Sequence, residues 1–509
     1  MQLHQFNLSQ TLQTKLQSVA NLEFDQFAID SRKVTNGNAF ILLKSQNPNA
    51  KTDMATLQGY LDQVKDKAVF VLSELDVSAI ANHYNFPIVT IVNIRDMLGD
   101  IIAQSLQLAD PIKLPTIIAT TGTNGKTTVS QLVAQLVSHA GNKTAIMGTA
   151  GNGLIDANGL PVLTPATHTT MEVFNLHHAV YDFAKQNVQV LSIEASSHGL
   201  HQQRLQGLPI QVAIYSNLSR DHLDYHTDMD DYANAKARLF DKAYFLSLTH
   251  AIINLDDEFS ALMINTAKQS GVTVWTYSLM DNTADFFAKN IAPSLNGVDL
   301  TIATPQGDLT VKSPLLGRFN VANLLASIAG AVAMGVSLEQ LQVAVPNLKG
   351  ATGRMDRVAS KVGAFIVDYA HTPDALEQVL TSLRPHCEGN LWAVFGCGGD
   401  RDKGKRPLMA QVALKLADKV ILTADNPRTE DPNDILNDMQ SGMSCEQHEK
   451  AEIEADRKTA INMAVQHAKP NDIVVIAGKG HETYQEINGI RHDFDDKQVV
   501  AEAIAKFNK

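Results

Sequence analysis

The sequence predicts an α/β protein with three domains, and three observations support this prediction. The chain has 509 residues, which is too long for one hydrophobic core and corresponds to roughly three domains. Short apolar runs alternate with stretches of helical periodicity, a pattern typical of parallel sheets covered by helices on both faces. A strand, a glycine-rich loop and a helix follow one another at residues 116–139, which favours a central nucleotide-binding sheet.

Composition and charge favour an ordered protein that does not bind nucleic acid through a general basic surface. Hydrophobic residues make up 44% of the chain, charged residues make up 19%, and the formal net charge is −12. Such a chain lacks the positive surface that binds the phosphate backbone of a nucleic acid, although its net charge does not exclude a local basic pocket. The three cysteines are widely spaced and form no disulfide framework or CxxC metal motif, which favours a reducing compartment.

The N-terminus and the apolar segments favour a cytoplasmic protein. The opening stretch MQLHQFNLSQTLQTKL lacks the basic start and apolar core of a signal peptide. The most apolar run, at 314–336, is interrupted by Arg318, Asn320 and Asn323, so we expect no membrane span.

The first domain is expected over residues 1–113. AFILL (39–43), AVFVL (68–72) and PIVTIV (87–92) are apolar runs of strand length. ADPIKLP (109–115) contains two prolines and is predicted to be a linker.

The second domain is expected over residues 114–348. TIIAT (116–120) is predicted to be its first strand, followed by an amphipathic helix from Thr127 to His139. Gly141 stands where a helix C-cap is expected. The further predicted strands are TAIMG (144–148), VLSI (190–193), VAIYS (212–216) and AIIN (251–254).

The pattern restarts near residue 349, so a third domain is expected over 349–509. Each of its predicted strands leads into a polar or glycine-rich loop, and ligands of open α/β sheets bind at such strand ends. These strands are AFIVD (364–368), LWAVF (391–395), KVILT (419–423) and DIVVI (472–476).

The loop after the first central strand has the features of a phosphate site. Gly122 and Gly125 let backbone N–H groups turn inward, and the helix N-terminus adds the positive end of its dipole. Lys126 supplies a charge for the β- and γ-phosphates, and the Thr127 hydroxyl is a ligand for Mg²⁺. The strict pattern has a glycine where this chain has Thr120, so a tight turn with an incidental lysine is the alternative.

Two later motifs place polar side chains beyond strands. Glu194 follows an apolar strand in VLSIEASSHG, where its carboxylate can reach the same Mg²⁺; a capping or ion-pairing glutamate is the alternative. His222 begins a group of His and Asp side chains in SNLSRDHLDYH. Their spacing is not that of a zinc site, and taken alone this segment indicates a polar loop.

Ten motifs occur in an order that points to one family. They are GTNGKTT, EASSHGL, NLSRDHLDYH, DYANAK, GRFNVANLL, GRMDRV, VDYAHTPDAL, FGCGGDRDKGKRP, DNPRTEDP and AGKGHE. Together they resemble the Mur ligases of bacterial cell-wall synthesis, most closely the branch that adds the third residue of the stem peptide. The resemblance runs from about residue 30 to residue 485.

The resemblance implies a three-domain Mur ligase architecture. An N-terminal domain would bind the uridine nucleotide, a central P-loop domain would bind ATP, and a Rossmann-like C-terminal domain would bind the incoming amino acid. The implied reaction makes an amide in two steps: a D-glutamate carboxylate takes the γ-phosphate of ATP, and an amine then displaces phosphate from the acyl phosphate. The implied partners are small-molecule substrates, and we expect a monomer.

The resemblance assigns catalysis to four residues, Lys126, Glu194, His222 and Lys236. Thr127 and Glu194 would hold one Mg²⁺, and His222 would hold a second. Lys236 in DYANAK matches the lysine that family members carry as a carbamate, an N6-carboxylysine that would support the second Mg²⁺. An ordinary surface lysine is the alternative for Lys236.

The resemblance also implies that ATP is bound from two domains, so that domain closure would exclude water from the acyl phosphate. Asn254 and Asn320 would flank the adenine, Arg354 would reach a phosphate and Asp368 would bond the ribose. A helix cap is the alternative for Asn320, and a strand end is the alternative for Asp368. The implied ATP set is Gly122, Thr123, Asn124, Gly125, Lys126, Thr127, Thr128, Asn254, Asn320, Arg354, Asp368 and His371.

Three segments are implied to bind the UDP-muramoyl dipeptide. Family members usually continue the first of them, DSRKVTNGNAF (30–40), with a glycine/histidine segment that ends in an Asp-Gly turn, whereas this chain has KSQNPNAKTD (44–53). The substrate residues carried over are Ser31, Arg32, Thr169, Thr170, Ser196 and Arg204. A solvated charge is the alternative for Arg204.

The choice of amino acid is assigned to DNPR (425–428). Family members that add meso-diaminopimelate carry this arginine, and lysine-adding members lack it. A guanidinium pairs with the distal carboxylate of diaminopimelate through two hydrogen bonds, and a buried arginine would repel the ammonium of lysine. The implied diaminopimelate set is Arg401, Asp425, Asn426, Arg428, Gly478 and Glu482.

Four alternative functions make different demands on the sequence. The lysine-adding ligase of the same family is the nearest alternative. A folylpolyglutamate-type ligase should lack the uridine motif and DNPR, and a P-loop motor should carry a basic groove. A non-catalytic ATP-gated scaffold should have lost some of Lys126, Glu194, His222 and Lys236, and all four are present.

Overall fold

Three main sheets follow one another along the chain, and helices cover them, so the predicted α/β class is confirmed. The computed structural model describes residues 1–45, 53–156, 159, 161–166, 168–223, 225–294, 296–350, 355–441 and 443–509. Among the described helices, none combines the length and the apolar character that a membrane crossing requires.

The first sheet is small and entirely parallel, in the order β1-β2-β3-β4. Apolar clusters lie on both of its faces because its strands carry hydrophobic residues on both sides. Its strands are β1 (Phe27–Ala28), β2 (Asn38–Leu42), β3 (Ala68–Ser73) and β4 (Ile88–Thr90). Its helices are α1 (Gln10–Lys15), α2 (Met54–Val64), α3 (Ser78–Ala81) and α4 (Arg95–Ala109).

The second sheet has a parallel centre and antiparallel edges. Its strands are β5 (Thr116–Thr121), β6 (Thr144–Gly148), β7 (Gly151–Ile155), β8 (Pro161–Thr164), β9 (Val190–Glu194), β10 (Ile210–Tyr215), β11 (His250–Asn254), β12 (Thr273–Ser278), β13 (Phe286–Ser294), β14 (Gly297–Thr304) and β15 (Gly307–Ser313). They lie in the order β15-β14-β13-β12-β11-β10-β5-β9-β6-β7-β8. Because β5 lies between β9 and β10, its carboxyl end opens at a switch in strand order, where ligands of such sheets bind.

Helices cover both faces of the second sheet, and each face carries its own apolar cluster. These helices are α5 (Lys126–His139), α6 (Val173–Lys185), α7 (Ser197–His201), α8 (Met229–Ala237), α9 (Ser260–Gln269), α10 (Arg318–Ala333) and α11 (Leu338–Ala344). α5 and α10 pack on one face, while α6 and α8 pack on the other. This packing fixes the start of α5, and hence the phosphate loop, against the rigid centre of the sheet.

The third sheet has the order β16-β17-β21-β18-β19-β20 and is parallel except for β16. Its strands are β16 (Asp356–Val358), β17 (Ala364–Asp368), β18 (Leu391–Phe395), β19 (Lys419–Leu422), β20 (Ala451–Ile453) and β21 (Ile473–Ala477), and β22 (Tyr484–Ile487) pairs with β23 (Ile490–Asp493) in a separate hairpin. The helices are α12 (Pro373–Leu383), α13 (Lys405–Leu416), α14 (Pro432–Gln440), α15 (Cys445–Lys450), α16 (Arg457–His467) and α17 (Asp496–Phe507).

The antiparallel strands are the main difference from the sequence-based expectation. The pattern predicted only parallel strands in the centre, but β7, β8, β14 and β15 extend the second sheet with antiparallel pairs. β15 alternates between buried and exposed side chains, and β7 and β8 carry mostly partly buried or exposed ones, so these strands lack the continuous apolar runs used to find the others. The predicted helix from Thr127 begins one residue earlier, at Lys126.

The imidazole of His386 bridges the region of the second sheet and the region of the third sheet. His386, buried in a short helix after α12, has Nδ1 2.7 Å from the Ser294 carbonyl oxygen at the end of β13. Its Nε2 accepts a hydrogen bond from the Gly317 N–H at 3.1 Å. The carbonyl can only accept and the N–H can only donate, so the ring is neutral with its proton on Nδ1.

A buried ion pair ties the C-terminal helix to two strand ends. Arg457 binds both carboxylate oxygens of Asp496, at 2.8 and 2.7 Å, and both side chains are fully buried. The same guanidinium donates to the carbonyl oxygens of Ala424, just beyond β19, and of Ala477, at the end of β21. The pair therefore fixes the loops that begin at residues 425 and 478.

We predict that Asp496→Asn lowers the free energy of unfolding of this region by about 3–5 kcal/mol, because it leaves the Arg457 charge buried without a counter-ion. Urea unfolding followed by Trp392 fluorescence in a Trp275→Phe background measures the loss. The control is Glu502→Gln, which removes the half-exposed Lys458–Glu502 pair of the same helices and should leave the urea midpoint unchanged. An unchanged midpoint in Asp496→Asn would contradict the prediction.

Candidate active site

The phosphate loop leaves the central strand β5 and enters α5. Gly125 has a φ of +84°, and a Cβ there would lie 2.6 Å from Oδ1 of Asn323 on α10. Both the backbone and the space therefore require glycine at this position. The Thr123 N–H donates to the Asn217 carbonyl oxygen at 2.7 Å and the Asn124 N–H to Asn217 Oδ1 at 2.9 Å, so the end of β10 braces the loop.

Lys126 folds back over the loop that precedes it. Its Nζ donates to the carbonyl oxygens of Gly122 and Thr123, at 2.9 and 2.8 Å. The ammonium is thereby held at the open side of the loop, beside the N-terminus of α5. A cation and a helix N-terminus at one place are suited to phosphate oxygens. Thr128 follows inside the first turn and is buried.

Glu194, the last residue of β9, is buried against the start of α5. Thr127 Oγ1 donates to its Oε1 at 3.0 Å, and the N–H and Oγ1 of Thr149 donate to its two oxygens at 2.9 and 3.0 Å. Burial raises the pKa of the Glu194 carboxyl, and the Lys126 charge opposes that rise. Sequence reasoning missed Thr149, which follows a strand that carries no polar motif.

Lys236 lies inside the protein, although a surface lysine was the alternative expectation. Its Nζ donates to the Gly122 carbonyl oxygen at 2.8 Å and lies 4.5 Å from the ring centre of Tyr232. Burial, with the nearby charge of Lys126, lowers the pKa of the Lys236 amine well below its ordinary value. A buried amine with a depressed pKa has a larger neutral fraction, which is the nucleophilic form.

His222 lies in the loop between β10 and α8, half-buried and with a φ of +53°. Its Nε2 is 3.4 Å from Asp221 Oδ2, and its ring is edge-on to His198, with ring centres 5.1 Å apart. His198, from α7, was not singled out from the sequence, because a histidine within EASSHG has no distinguishing spacing.

A cavity of about 350 Å³ brings two predicted groups of residues together. Its lining includes Lys126, His222 and Lys236 from the predicted catalytic set. It also includes four residues of the predicted substrate set: Thr169, Thr170, Ser196 and Arg204. Two lysines, an arginine and several hydroxyls thus line a single polar chamber beside the phosphate loop. Such a chamber can hold an anionic group next to a nucleotide phosphate.

The side of this cavity that carries the predicted substrate residues is held by internal hydrogen bonds. Thr170 Oγ1 donates to the Glu194 carbonyl oxygen at 2.9 Å and accepts from the Ser196 N–H at 3.0 Å. Arg204 is nearly buried; it donates to the Thr170 carbonyl oxygen at 2.9 Å and pairs with Glu172 at 2.9 Å. These contacts exclude the solvated-charge alternative for Arg204.

A larger cavity of about 730 Å³ lies against the first sheet. Ser31 and Arg32 line it, together with Phe174, Asn175 and His178 of α6 from the second sheet's region. Ser31 Oγ donates to Gln63 Oε1 at 2.7 Å, while Arg32 is exposed and paired with Asp30 at 2.8 Å. The segment KSQNPNAKTD (44–53), where this chain departs from the family pattern, lies largely outside the described residues.

The remaining predicted ATP residues differ in how deeply their side chains are buried and in their hydrogen bonds. Asn254 donates to the Ser216 carbonyl oxygen at 2.7 Å, and Asn320 accepts from Asn323, the neighbour of Gly125, at 3.2 Å. Asp368 is buried and accepts from the Met355 and Ala370 N–H groups at 2.7 and 2.8 Å. His371 is exposed on the following loop. Arg354 lies outside the described residues.

The predicted amino-acid residues gather at the ends of β19 and β21. Asn426 Nδ2 donates to Glu482 Oε2 at 2.9 Å, and a Cβ on Gly478 would lie 2.9 Å from Asp425 Oδ2. Arg428 has a φ of +52° and donates from Nη1 to the Gly399 carbonyl oxygen at 2.7 Å. The exposed Arg401 lies nearby, since a Cβ on Gly398 would meet both arginines, at 3.0 and 3.7 Å.

Two charged residues of this group were missed from the sequence. Lys479 is fully buried beside Asp425, Asn426 and Glu482, and Glu486 lies 3.9 Å from the Arg428 Nε. Burial raises the pKa of Asp425, and Arg457 and then Lys479 oppose the rise.

The described residues contain no group of three or more His, Cys, Asp and Glu side chains placed to hold a metal ion. The Thr127 hydroxyl and the Glu194 carboxylate are nevertheless adjacent hard oxygen donors at a phosphate loop. A buried carboxylate whose pKa is raised by burial gains from a divalent cation. This donor set fits Mg²⁺, which takes one or two protein oxygens together with phosphate oxygens.

The chain is similar to Mur ligases in sequence. Residues 120–331 match the family described as Mur ligase middle domain, and residues 353–480 match Mur ligase, glutamate ligase domain. A UDP-N-acetylmuramoyl-L-alanyl-D-glutamate--2,6-diaminopimelate ligase from Chromobacterium violaceum is 40% identical over 485 residues, which cover 94% of both chains. A relative of the same name from Pseudomonas syringae pv. tomato is 38% identical and covers 94% of this chain and 95% of its own.

The chain is also similar to solved structures. A structure described as UDP-N-acetylmuramoyl-L-alanyl-D-glutamate--2,6-diaminopimelate ligase has 47% sequence identity, a TM-score of 0.78 and 96% coverage of both chains. A Mycobacterium tuberculosis folylpolyglutamate synthase has 18% identity and a TM-score of 0.60, over 80% of this chain and 94% of its own. At that identity the second likeness shows a shared fold alone.

Proposed function

Because the chain belongs to the Mur ligase family, we propose that it is the ATP-dependent ligase that joins meso-2,6-diaminopimelate to UDP-N-acetylmuramoyl-L-alanyl-D-glutamate in peptidoglycan precursor synthesis. The observation that carries this proposal is the polar cavity in which Lys126, His222 and Lys236 face Thr169, Thr170 and Arg204. This cavity supports the proposal that an acidic substrate binds beside the nucleotide phosphates.

The first step forms an acyl phosphate. An oxygen of the D-glutamate side-chain carboxylate attacks the γ-phosphorus of ATP, and ADP leaves with the electrons of the broken P–O bond. The two reactants are both anions, so the residues must neutralise and align them. Lys126 supplies positive charge at the loop, and Arg204 with the Thr169 and Thr170 hydroxyls holds the acidic substrate.

The second step forms the amide. The amine of diaminopimelate attacks the acyl carbon, and phosphate leaves with the electrons of the C–O bond. A carboxylate by itself is a poor acylating agent, and phosphorylation supplies its leaving group. Asp368 and His371 from the C-terminal region would contact the nucleotide, so that closure of the two regions keeps water from the acyl phosphate.

Mg²⁺ is proposed at the phosphate loop, where it would neutralise phosphate charge. Thr127 and Glu194 would hold one ion, and His222 with a carbamate on Lys236 would hold a second. The depressed pKa of Lys236 supports that modification, because CO₂ adds only to a neutral amine. The addition releases a proton and replaces the buried amine with a carbamate, whose oxygens can ligate a cation.

Selection of the amino acid is proposed for the cluster at β19 and β21. Arg428, with Arg401 near it, would pair with the distal carboxylate of diaminopimelate. Glu482 and Asp425 would receive its distal ammonium, and Gly478 would let the backbone approach. The proposed enzyme acts as a cytoplasmic monomer, with ATP as co-substrate and domain limits at residues 1–113, 114–348 and 349–509.

The proposed reaction predicts that ADP release requires the UDP-muramoyl dipeptide, Mg²⁺ and diaminopimelate together. Coupled ADP release should be fast with diaminopimelate and near background with lysine or with no amino acid. Release with lysine as the preferred substrate would assign the chain to the lysine-adding branch, and no release with any combination would contradict the ligase proposal.

We predict that Lys236→Ala is nearly inactive, because the variant lacks the oxygen ligand that the carbamate would provide. Bicarbonate plus a short carboxylic acid should restore part of the ADP release by supplying that oxygen. Lys242→Ala, which alters an exposed lysine six residues further on, serves as the control and should behave like the unmodified protein. Full activity of Lys236→Ala without an additive would refute the role.

We predict that Arg428→Ala raises the KM for diaminopimelate by roughly tenfold to a hundredfold, as expected when charge-assisted hydrogen bonds are lost. The KM for ATP should change little, because the nucleotide is bound at the phosphate loop. Steady-state kinetics with each substrate varied in turn measures both constants. Arg491→Ala, on the neighbouring hairpin and exposed, is the matched control, and equal losses for both substrates would tell against the assignment.

A further inference from the structure

Lys479 is a buried lysine to which the proposed reaction assigns no role. It follows β21, its side chain has no exposed surface, and it lies at the centre of the predicted diaminopimelate residues. Lysine is almost never fully buried unless its charge is paired, because desolvating an ammonium is costly. Its partners therefore indicate what the buried charge does.

The Lys479 ammonium closes a triangle of hydrogen bonds. Nζ donates to Asn426 Oδ1 at 3.1 Å and to Glu482 Oε2 at 3.2 Å. Asn426 Nδ2 donates to the same Glu482 oxygen at 2.9 Å, and the Glu486 N–H donates to Asn426 Oδ1 at 2.9 Å. Two donors converge on Oδ1, so the Asn426 amide has one orientation, with its NH₂ toward Glu482.

The triangle also determines which part of Glu482 is available to a ligand. Oε2 is occupied by Lys479 and Asn426, while Oε1 receives no hydrogen bond from the part of the chain that the structure describes. The Glu482 side chain is 21% exposed, whereas the Lys479 side chain has no exposed surface, so a ligand can contact Glu482 but not Lys479.

The buried ammonium also separates two carboxylates. Nζ lies 3.7 Å from Asp425 Oδ1 on one side and 3.2 Å from Glu482 Oε2 on the other. Without it, both carboxylates would remain close together in a poorly solvated site, with Glu486 nearby, and they would repel each other.

We propose that Lys479 is a positioning residue for diaminopimelate, which orients the Asn426 amide and aims Glu482 Oε1 at the distal ammonium of the substrate without touching the substrate. This inference rests on the proposed function. Lys479 lies in the third sheet's region and has no described contact with the phosphate loop, so its effect is confined to the amino-acid site.

The test is steady-state kinetics of Lys479→Met, with Lys458→Met, an exposed lysine paired with Glu502, as the matched control. We expect the KM for diaminopimelate to rise about tenfold or more, since charge-assisted hydrogen bonds are lost. The KM values for ATP and for the UDP-muramoyl dipeptide should stay within about twofold. A KM does not depend on the fraction of folded enzyme, so partial unfolding would lower kcat alone.

An unchanged KM for diaminopimelate, or an equal rise of all three KM values, would overturn the inference. If Lys479→Met yields no soluble protein, Lys479→Gln, which removes the charge but keeps a donor, gives the same comparison. Absence of diaminopimelate-dependent ADP release from the unmodified protein would refute the proposed function instead, so the two failures are distinguishable.

Discussion

The buried carboxylate of Glu194 is the interaction on which the central site depends. It ends β9, accepts from the first turn of α5 through Thr127, and accepts twice from Thr149 after β6. Its own carbonyl oxygen accepts from Thr170. One residue thus joins the phosphate loop, two parallel strands and the segment that carries Thr170. Burying this negative charge without a counter-ion costs free energy, and nearby cations offset that cost.

Buried charges in the C-terminal region are also compensated by opposite charges, but there a buried cation, Lys479, lies between two carboxylates. Asp425 and Glu482 are kept apart by Lys479, and the strands that carry them are tied together by Arg457 and Asp496. In both regions, buried charges lie at or shortly after the carboxyl ends of parallel strands: Glu194 ends β9, Asp425 follows β19 and Lys479 follows β21. Helices cover the faces of these sheets, so the strand ends are where charge can be compensated by a ligand as well as by protein.

The sequence was sufficient for the strands that are buried on both faces, because short continuous apolar runs such as LWAVF and AFIVD, each followed by a polar loop, are typical of such strands. It also located the phosphate loop, whose glycines and lysine depend on local geometry. The antiparallel strands β7, β8, β14 and β15 were not predicted, because they lack the continuous apolar runs by which the other strands were found. Thr149 and Lys479 were missed for another reason. Thr149 acts through a partner distant in sequence, and although Lys479 lies in AGKGHE, the motif does not show that this lysine is buried between Asp425 and Glu482. The predicted roles of the site residues and the domain limits stay predictions.

The contact that His386 makes between the central and C-terminal regions depends on the protonation state of its imidazole. The imidazole bridges Ser294 and Gly317 only as the neutral ring, and burial lowers its pKa, which favours that form. A second ring proton would point at the Gly317 N–H, so two donors would oppose each other across the joint. Protonation of the ring in acid therefore breaks this bridge, and the lowered pKa keeps the bridge intact to a lower pH than an ordinary histidine would.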